Sequence, residues 1–175
     1  MRFFQPVFGV TLIKSILAPC LVLLAGCVGH YQQPAADAPH ATLNAQWGTN
    51  NLMNGGGQGY WAFYDSHCVD TEETGVLGAI SATNSEKNRF FIKPDRRVYV
   101  HALSTGIKIR ENNDQPLISK SCLNISSFVP RTGGVYRIKQ SAPDWGCSLE
   151  VIDMSTGTPP NTLVVEPITK ECGLN

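Results

Sequence analysis

The chain has 175 residues, a length that fits one domain. Apolar residues make up 42% and charged residues 16%, which excludes a disordered chain. Lys and Arg together number 14, as do Asp and Glu, and this balance argues against an electrostatic nucleic-acid binder and against a polybasic membrane-surface patch.

The N-terminus opens with Arg2 and Lys14 and continues into an apolar run from Ile16 to Ala25, the charge-then-apolar order of an export signal. The run is shorter than the roughly 20 residues a membrane-spanning helix needs. The longer stretch from Phe3 is interrupted by Gln5, Pro6, Lys14 and Pro19. The run ends in Leu24-Ala25-Gly26-Cys27. Small residues suit the narrow site of a peptidase, and a Cys thiol is the nucleophile that accepts a diacylglycerol. These four residues resemble the lipobox of bacterial lipoproteins.

The resemblance implies a signal peptide over residues 1–26, with Cys27 as the lipid-modified N-terminus, acylated (palmitate among the acyl chains) and anchored in the membrane. Two or more acyl chains hold a protein stably. Val28 stands where an Asp would favour retention at the inner membrane in that family, so the resemblance points to the outer membrane. An ordinary secretory signal with an incidental Cys27 is the competing reading. Leu17-Ala18-Pro19-Cys20 places a Pro beside the cut, in the middle of the run, and is rejected. Beyond residue 26 the chain carries 12 basic and 14 acidic residues, a formal net charge of −2.

Residues 27–59 read as the lipidated end and a flexible tether. Tyr31 to His40 is small, polar and Pro-containing, and Gly55-Gly56-Gly57-Gln58-Gly59 is loop-like. Trp47 and Leu52 are the tether's candidates for docking on the domain. From Tyr60 to Asn175 the pattern is all-β. Strand-like runs occur at Tyr60–Tyr64, Val76–Ile80, Arg89–Ile92, Arg97–Leu103, Cys122–Phe128, Val135–Lys139, Cys147–Asp153 and Thr162–Glu166. Pro, Gly or Asn clusters separate most of them. Seven or eight short strands with such punctuation predict a small antiparallel sandwich or barrel.

Two stretches, Phe91-Ile92-Lys93-Pro94-Asp95-Arg96-Arg97-Val98-Tyr99-Val100 and Phe128-Val129-Pro130-Arg131-Thr132-Gly133-Gly134-Val135-Tyr136-Arg137-Ile138, resemble the small transthyretin-like or immunoglobulin-like sandwiches of bacterial lipoproteins. The resemblance implies an architecture and no activity. Gly133 or Gly134 is expected to supply a backbone angle that other residues avoid, and Tyr136 to pack inward.

Cys68, Cys122, Cys147 and Cys172 remain once Cys20 leaves with the signal and Cys27 is lipidated. An even count in an oxidising compartment predicts two disulfides, with three connectivities open. Cys122–Cys147 and Cys68–Cys172 are favoured. The rival reading, a metal site using His67 beside Cys68, lacks a Cys-x-x-Cys pair, and adjacent side chains diverge on a strand. No metal and no cofactor are expected.

The chemistry-bearing residues do not assemble into a catalytic motif. His30 and His40 lie in the tether, and His101 lies in a strand as a surface or core histidine. Asp65, Ser66 and His67 are consecutive, and a triad needs spatial geometry that neighbours cannot provide. Asp70, Glu72 and Glu73 read as a solvated acidic loop, and Asp95-Arg96-Arg97 as an exposed turn. The expectation is therefore a non-catalytic, lipid-anchored envelope module that binds a protein partner or supports an envelope assembly, and that binds no nucleic acid. The alternative is an inhibitor of a hydrolase such as lysozyme, presenting Arg131-Thr132-Gly133-Gly134 or Arg96-Arg97 to an acidic cleft.

Overall fold

The computed structural model describes residues 30–48, 57–70, 73–81, 88–109, 118–141, 147–169 and residue 172. The lipobox residues Leu24, Ala25, Gly26 and Cys27 lie outside them, as do Leu52 and Glu72. The described residues are all-β, without a helix. None of them forms a helix long and apolar enough to cross a membrane.

Nine strands run in chain order: β1 (Ala41–Trp47), β2 (Gly57–Phe63), β3 (Gly75–Ile80), β4 (Arg89–Ile92), β5 (Val98–Ile109), β6 (Ile118–Phe128), β7 (Val135–Ser141), β8 (Ser148–Asp153) and β9 (Val164–Glu166). They form two sheets, one of four strands in the order β4-β1-β7-β8 and one of five in the order β3-β2-β5-β6-β9. The sandwich and its two cysteine pairs match the sequence reading. Each of the eight strand runs from Tyr60 onward overlaps one of the strands β2 to β9.

Two expectations are corrected. The first concerns the tether, because residues 41–47 are the inner strand β1 of the four-stranded sheet, flanked by β4 and β7. Ala41, Leu43 and Ala45 are at most 1% exposed and face the core. Docking begins earlier still. Tyr31 is buried, its N–H donates to the Val76 carbonyl at 3.1 Å, and its hydroxyl meets that of Tyr64. Gln33 Oε1 accepts the Phe91 N–H at 2.8 Å. The second correction is that β1 runs parallel to β7, with Leu43 beside Tyr136 and Ala45 beside Ile138, so the sandwich is not wholly antiparallel.

The core fills the space between the sheets. Leu43, Phe90, Ile92, Tyr136, Ile138 and Val151 come from the four-stranded sheet, and Tyr60, Val98, Val100 and Phe128 from the five-stranded one. Each such side chain contributes about 1.5–3 kcal/mol when fully buried. Toward one end the core turns polar. The Gln58 side-chain amide donates to the Gln140 carbonyl at 2.7 Å, and Gln140 donates in turn to the Cys122 carbonyl at 3.1 Å. Asn124 donates to Gln140 Oε1 at 3.1 Å. These bonds satisfy buried amides and fix how one sheet is offset on the other. Burial in this region pushes the Tyr60 phenol up to about 12.

Cys122 pairs with Cys147 at the same place, with a Cα–Cα distance of 6.0 Å. The strand between them in sequence, β7, belongs with β8 to the other sheet. The bridge therefore ties the two sheets together. Cys68 pairs with Cys172, Cα–Cα 5.2 Å, and joins the turn after β2 to the tail beyond β9.

Candidate functional site

Strand register brings the ends of β2, β4, β6 and β8 and the starts of β1, β3, β5, β7 and β9 to one end of the sandwich. The loops there are joined to one another. The Asp95 N–H donates to the Pro130 carbonyl at 2.8 Å, and the Thr132 hydroxyl to Asp95 Oδ2 at 2.9 Å. Thr162 accepts the Val129 N–H at 2.9 Å, and its carbonyl accepts from Arg97 Nη1 at 3.1 Å. Bonds of this kind hold loop backbone in place where no strand ladder can.

The turn at 131–134 is built from its glycines. Gly133 has φ +71°, a conformation costly for a residue with a Cβ. A Cβ on Gly134 would lie 2.8 Å from the Tyr136 ring and hydroxyl. Both glycines are thus required, for different reasons. Tyr136 is 1% exposed and inward, as the sequence predicted, and its hydroxyl accepts the Arg131 N–H at 2.9 Å.

Arg131 stands at the centre of this end. Its Nη2 reaches Asp153 Oδ2 at 2.5 Å and the Ser155 hydroxyl at 3.0 Å. Its side chain remains 63% exposed, whereas that of Asp153 is 7% exposed. Burial opposes ionisation of Asp153, but hydrogen bonds from the Ser155 hydroxyl and N–H and from Arg131 outweigh it and hold the carboxyl below the usual range. Two grooves meet at Arg131. One, of about 260 Å³, is lined by Val129, Thr158, Pro160, Asn161 and Thr162 as well. The other, of about 470 Å³, runs along Thr132, Gly133, Gly134, Met154 and Ser155. Residues 154–161 read from the sequence only as a separator between two strand-like runs, although Ser155-Thr156-Gly157-Thr158-Pro159-Pro160-Asn161 carries the hydroxyls and prolines of a shaped loop.

The other residues singled out in the sequence find structural roles. Asp65 does not orient a histidine. Its carboxylate accepts the N–H groups of His67, Val69 and Asp70 and so caps a turn. Glu73 pairs with Lys93 at 2.6 Å, and Arg96 lies 4.5 Å over the Tyr64 ring. Arg97 donates to the Ser127 hydroxyl at 2.9 Å.

His67 is exposed and takes no part in a cysteine cluster, but His101 does. It is 0% exposed, with Nε2 3.2 Å from Cys68 Sγ. Burial pushes its imidazole down to about 4. The cysteine pair is legible in the sequence, whereas this partner, 33 residues from Cys68, is not.

No family model matches the chain, and comparison with curated proteins and with solved structures finds no significant match.

Proposed function

We propose that the protein is a lipid-anchored lipoprotein of the bacterial cell envelope, held in the outer membrane through Cys27, whose sandwich is a non-catalytic module that binds a protein partner at its loop end. The observation that carries this reading is Arg131, fixed by Asp153 and Ser155 at the junction of two grooves while most of its side chain faces solvent. A guanidinium held in place loses little side-chain freedom on binding and presents a planar fork to a carboxylate. Bound loops around it add a preformed surface, which limits the ordering cost of association. Leu24-Ala25-Gly26-Cys27 supports the anchor.

A photo-crosslinking residue at Asn161 or Thr132, in cells expressing the full chain, tests the reading. Adducts are expected from both positions, depleted at least tenfold by Arg131→Ala, with none from Lys139 on the opposite part of β7. Adducts independent of Arg131, or none, would overturn it. The second reading, a hydrolase inhibitor, is favoured by the exposed cationic tip of Arg131 beside the Gly133-Gly134 turn. Inhibition of purified lysozyme that is lost with Arg131→Ala would select it.

A further inference from the structure

The outer face of the five-stranded sheet carries a small buried cluster, separate from the core between the sheets. Val100 and Ala102 face the core, so strand alternation turns His101 outward. It is nevertheless fully buried. Ile125, its cross-strand partner on β6, is 2% exposed. The Phe63 ring lies 4.7 Å from the imidazole, and the Cys68–Cys172 pair closes over it.

The imidazole is poorly served there. Nδ1 is buried without a hydrogen-bond partner, and Nε2 faces a disulfide sulfur, a weak acceptor. An apolar side chain would fill the same space without leaving a buried polar atom unpaired. One Nε2 and two Sγ atoms all lie within 4.8 Å of one another. A tetrahedral zinc, with Zn–S about 2.3 Å and Zn–N about 2.0–2.1 Å, holds such atoms roughly 3.5–3.8 Å apart. Neither cysteine lies in a strand, so the two sulfurs can part to that spacing without breaking a ladder.

We propose that Cys68, Cys172 and His101 form a redox-gated site for Zn²⁺, closed while the cysteines are bridged and opened when a dithiol reduces them. The dithiol gives up two electrons and two protons. Its own S–S bond forms as the Cys68–Cys172 bond breaks, and two thiols result. Zn²⁺ then displaces both thiol protons to solvent and takes two thiolates and the Nε2 lone pair, leaving the fourth position to water. Two thiolates cancel the ion's charge, so the complex is neutral, as a buried location requires. The imidazole ligates as its Nδ1–H tautomer, so a ring proton on Nε2 moves to Nδ1 and the Nε2 lone pair is free for the metal. Cys68 is the partly exposed member of the pair and the one a reductant reaches.

Zinc competition against a chromogenic chelator tests this on the full chain in mild detergent, before and after reduction with a phosphine. About one zinc per chain is expected after reduction and none before. Co²⁺ in place of zinc is expected to give the sulfur-to-cobalt band of a tetrahedral thiolate site. His101→Gln should weaken zinc binding at least tenfold with the thiols unchanged. Cys68→Ser with Cys172→Ser should abolish binding although Cys122 and Cys147 are still present as thiols. Far-ultraviolet circular dichroism reports whether the reduced chain keeps its sheets. Failure of the reduced chain to take up zinc, uptake indifferent to His101, or uptake only by a chain that has lost its sheet signal would each overturn the proposal.

Discussion

Leu43 and Tyr136 stand side by side on strands that run in the same direction, and through them residues 41–47 become the inner strand of the four-stranded sheet. A chain starting at residue 60 lacks that strand. It would leave β4 and β7 with unpaired edges and uncover Phe90, Ile92 and Ile138. Such a fragment should fail to fold cooperatively, whereas the chain from residue 28 should melt in one transition. Leu43→Ala should cost about 2–5 kcal/mol, of the size of a small domain's whole stability, and chemical denaturation measures it. A fragment from residue 60 with a sharp melt and native sheet signal would refute the placement of β1.

The sequence of β1 hides its strand character. Ala41, Leu43, Ala45 and Trp47 alternate with Thr42, Asn44 and Gln46, which is the period of a half-buried strand. Two of the four inward residues are alanines, however, and the stretch follows a Pro- and Ala-rich segment, so composition masks the period. The strands from β2 onward are richer in β-branched and aromatic residues and are punctuated by Pro and Gly, and they are legible. The sheet order is not. That β4 pairs with β1 while β5 pairs with β2 depends on contacts far apart in the chain, which local pattern does not encode. The cysteine pairing was legible as a preference among three. The burial of His101 beneath Cys68 was not, since it follows from how the turn after β2 lies over β5.

The cysteine pairing carries its own test. Intact mass without reductant should be four hydrogens lighter than with it, and peptide mapping should recover Cys68 with Cys172 and Cys122 with Cys147. In the chain-entropy model, closing the 104-residue and 25-residue separations contributes about 4.7 and 3.5 kcal/mol. Truncation after Val165 should therefore lower the melting temperature sharply and leave Cys68 titratable with a thiol reagent. An unchanged melt would show that the Cys68–Cys172 bridge does not stabilise the fold.

Asp153 should set part of the acid sensitivity. Its carboxyl titrates below the ordinary value of about 3.9 in the folded chain, because hydrogen bonds from Ser155 and Arg131 outweigh its burial. The unfolded chain therefore binds its proton first as pH falls. The stability it contributes is complete above the ordinary carboxylate value and is lost as pH drops through the folded value. Asp153→Asn should be less stable than the parent at pH 7 by about 1.5–3 kcal/mol, the worth of a hydrogen bond to a charged group. The difference should shrink as pH falls from about 5 toward 2. A constant difference across that range would mean that the carboxylate's charge is not what stabilises the loop end.

The anchor and the fold make a joint prediction at Cys27. Cys27→Ser removes the thiol that the lipobox resemblance makes the acceptor of the diacylglycerol. Cells fed radiolabelled palmitate should label the parent chain and not the variant, and the variant should be left unprocessed or become soluble. Its melting temperature should match the parent's, because among the described residues the contacts that tie the N-terminal segment to the sandwich run from His30 and Tyr31 to Val76, Tyr64 and Lys93. The spacing has a further consequence. Four residue steps separate Cys27 from Tyr31, and an extended chain covers at most about 3.3–3.6 Å per residue. A lipid on Cys27 would thus sit within about 14 Å of the folded unit, so the sandwich would rest at the membrane surface instead of standing off on a spacer. Insertion of a flexible ten-residue linker after Val28 should then leave labelling intact and raise the access of a bulky protease to the domain in intact membranes. Equal palmitate label in parent and variant would show that Cys27 is not the lipid acceptor, with the sandwich unaffected.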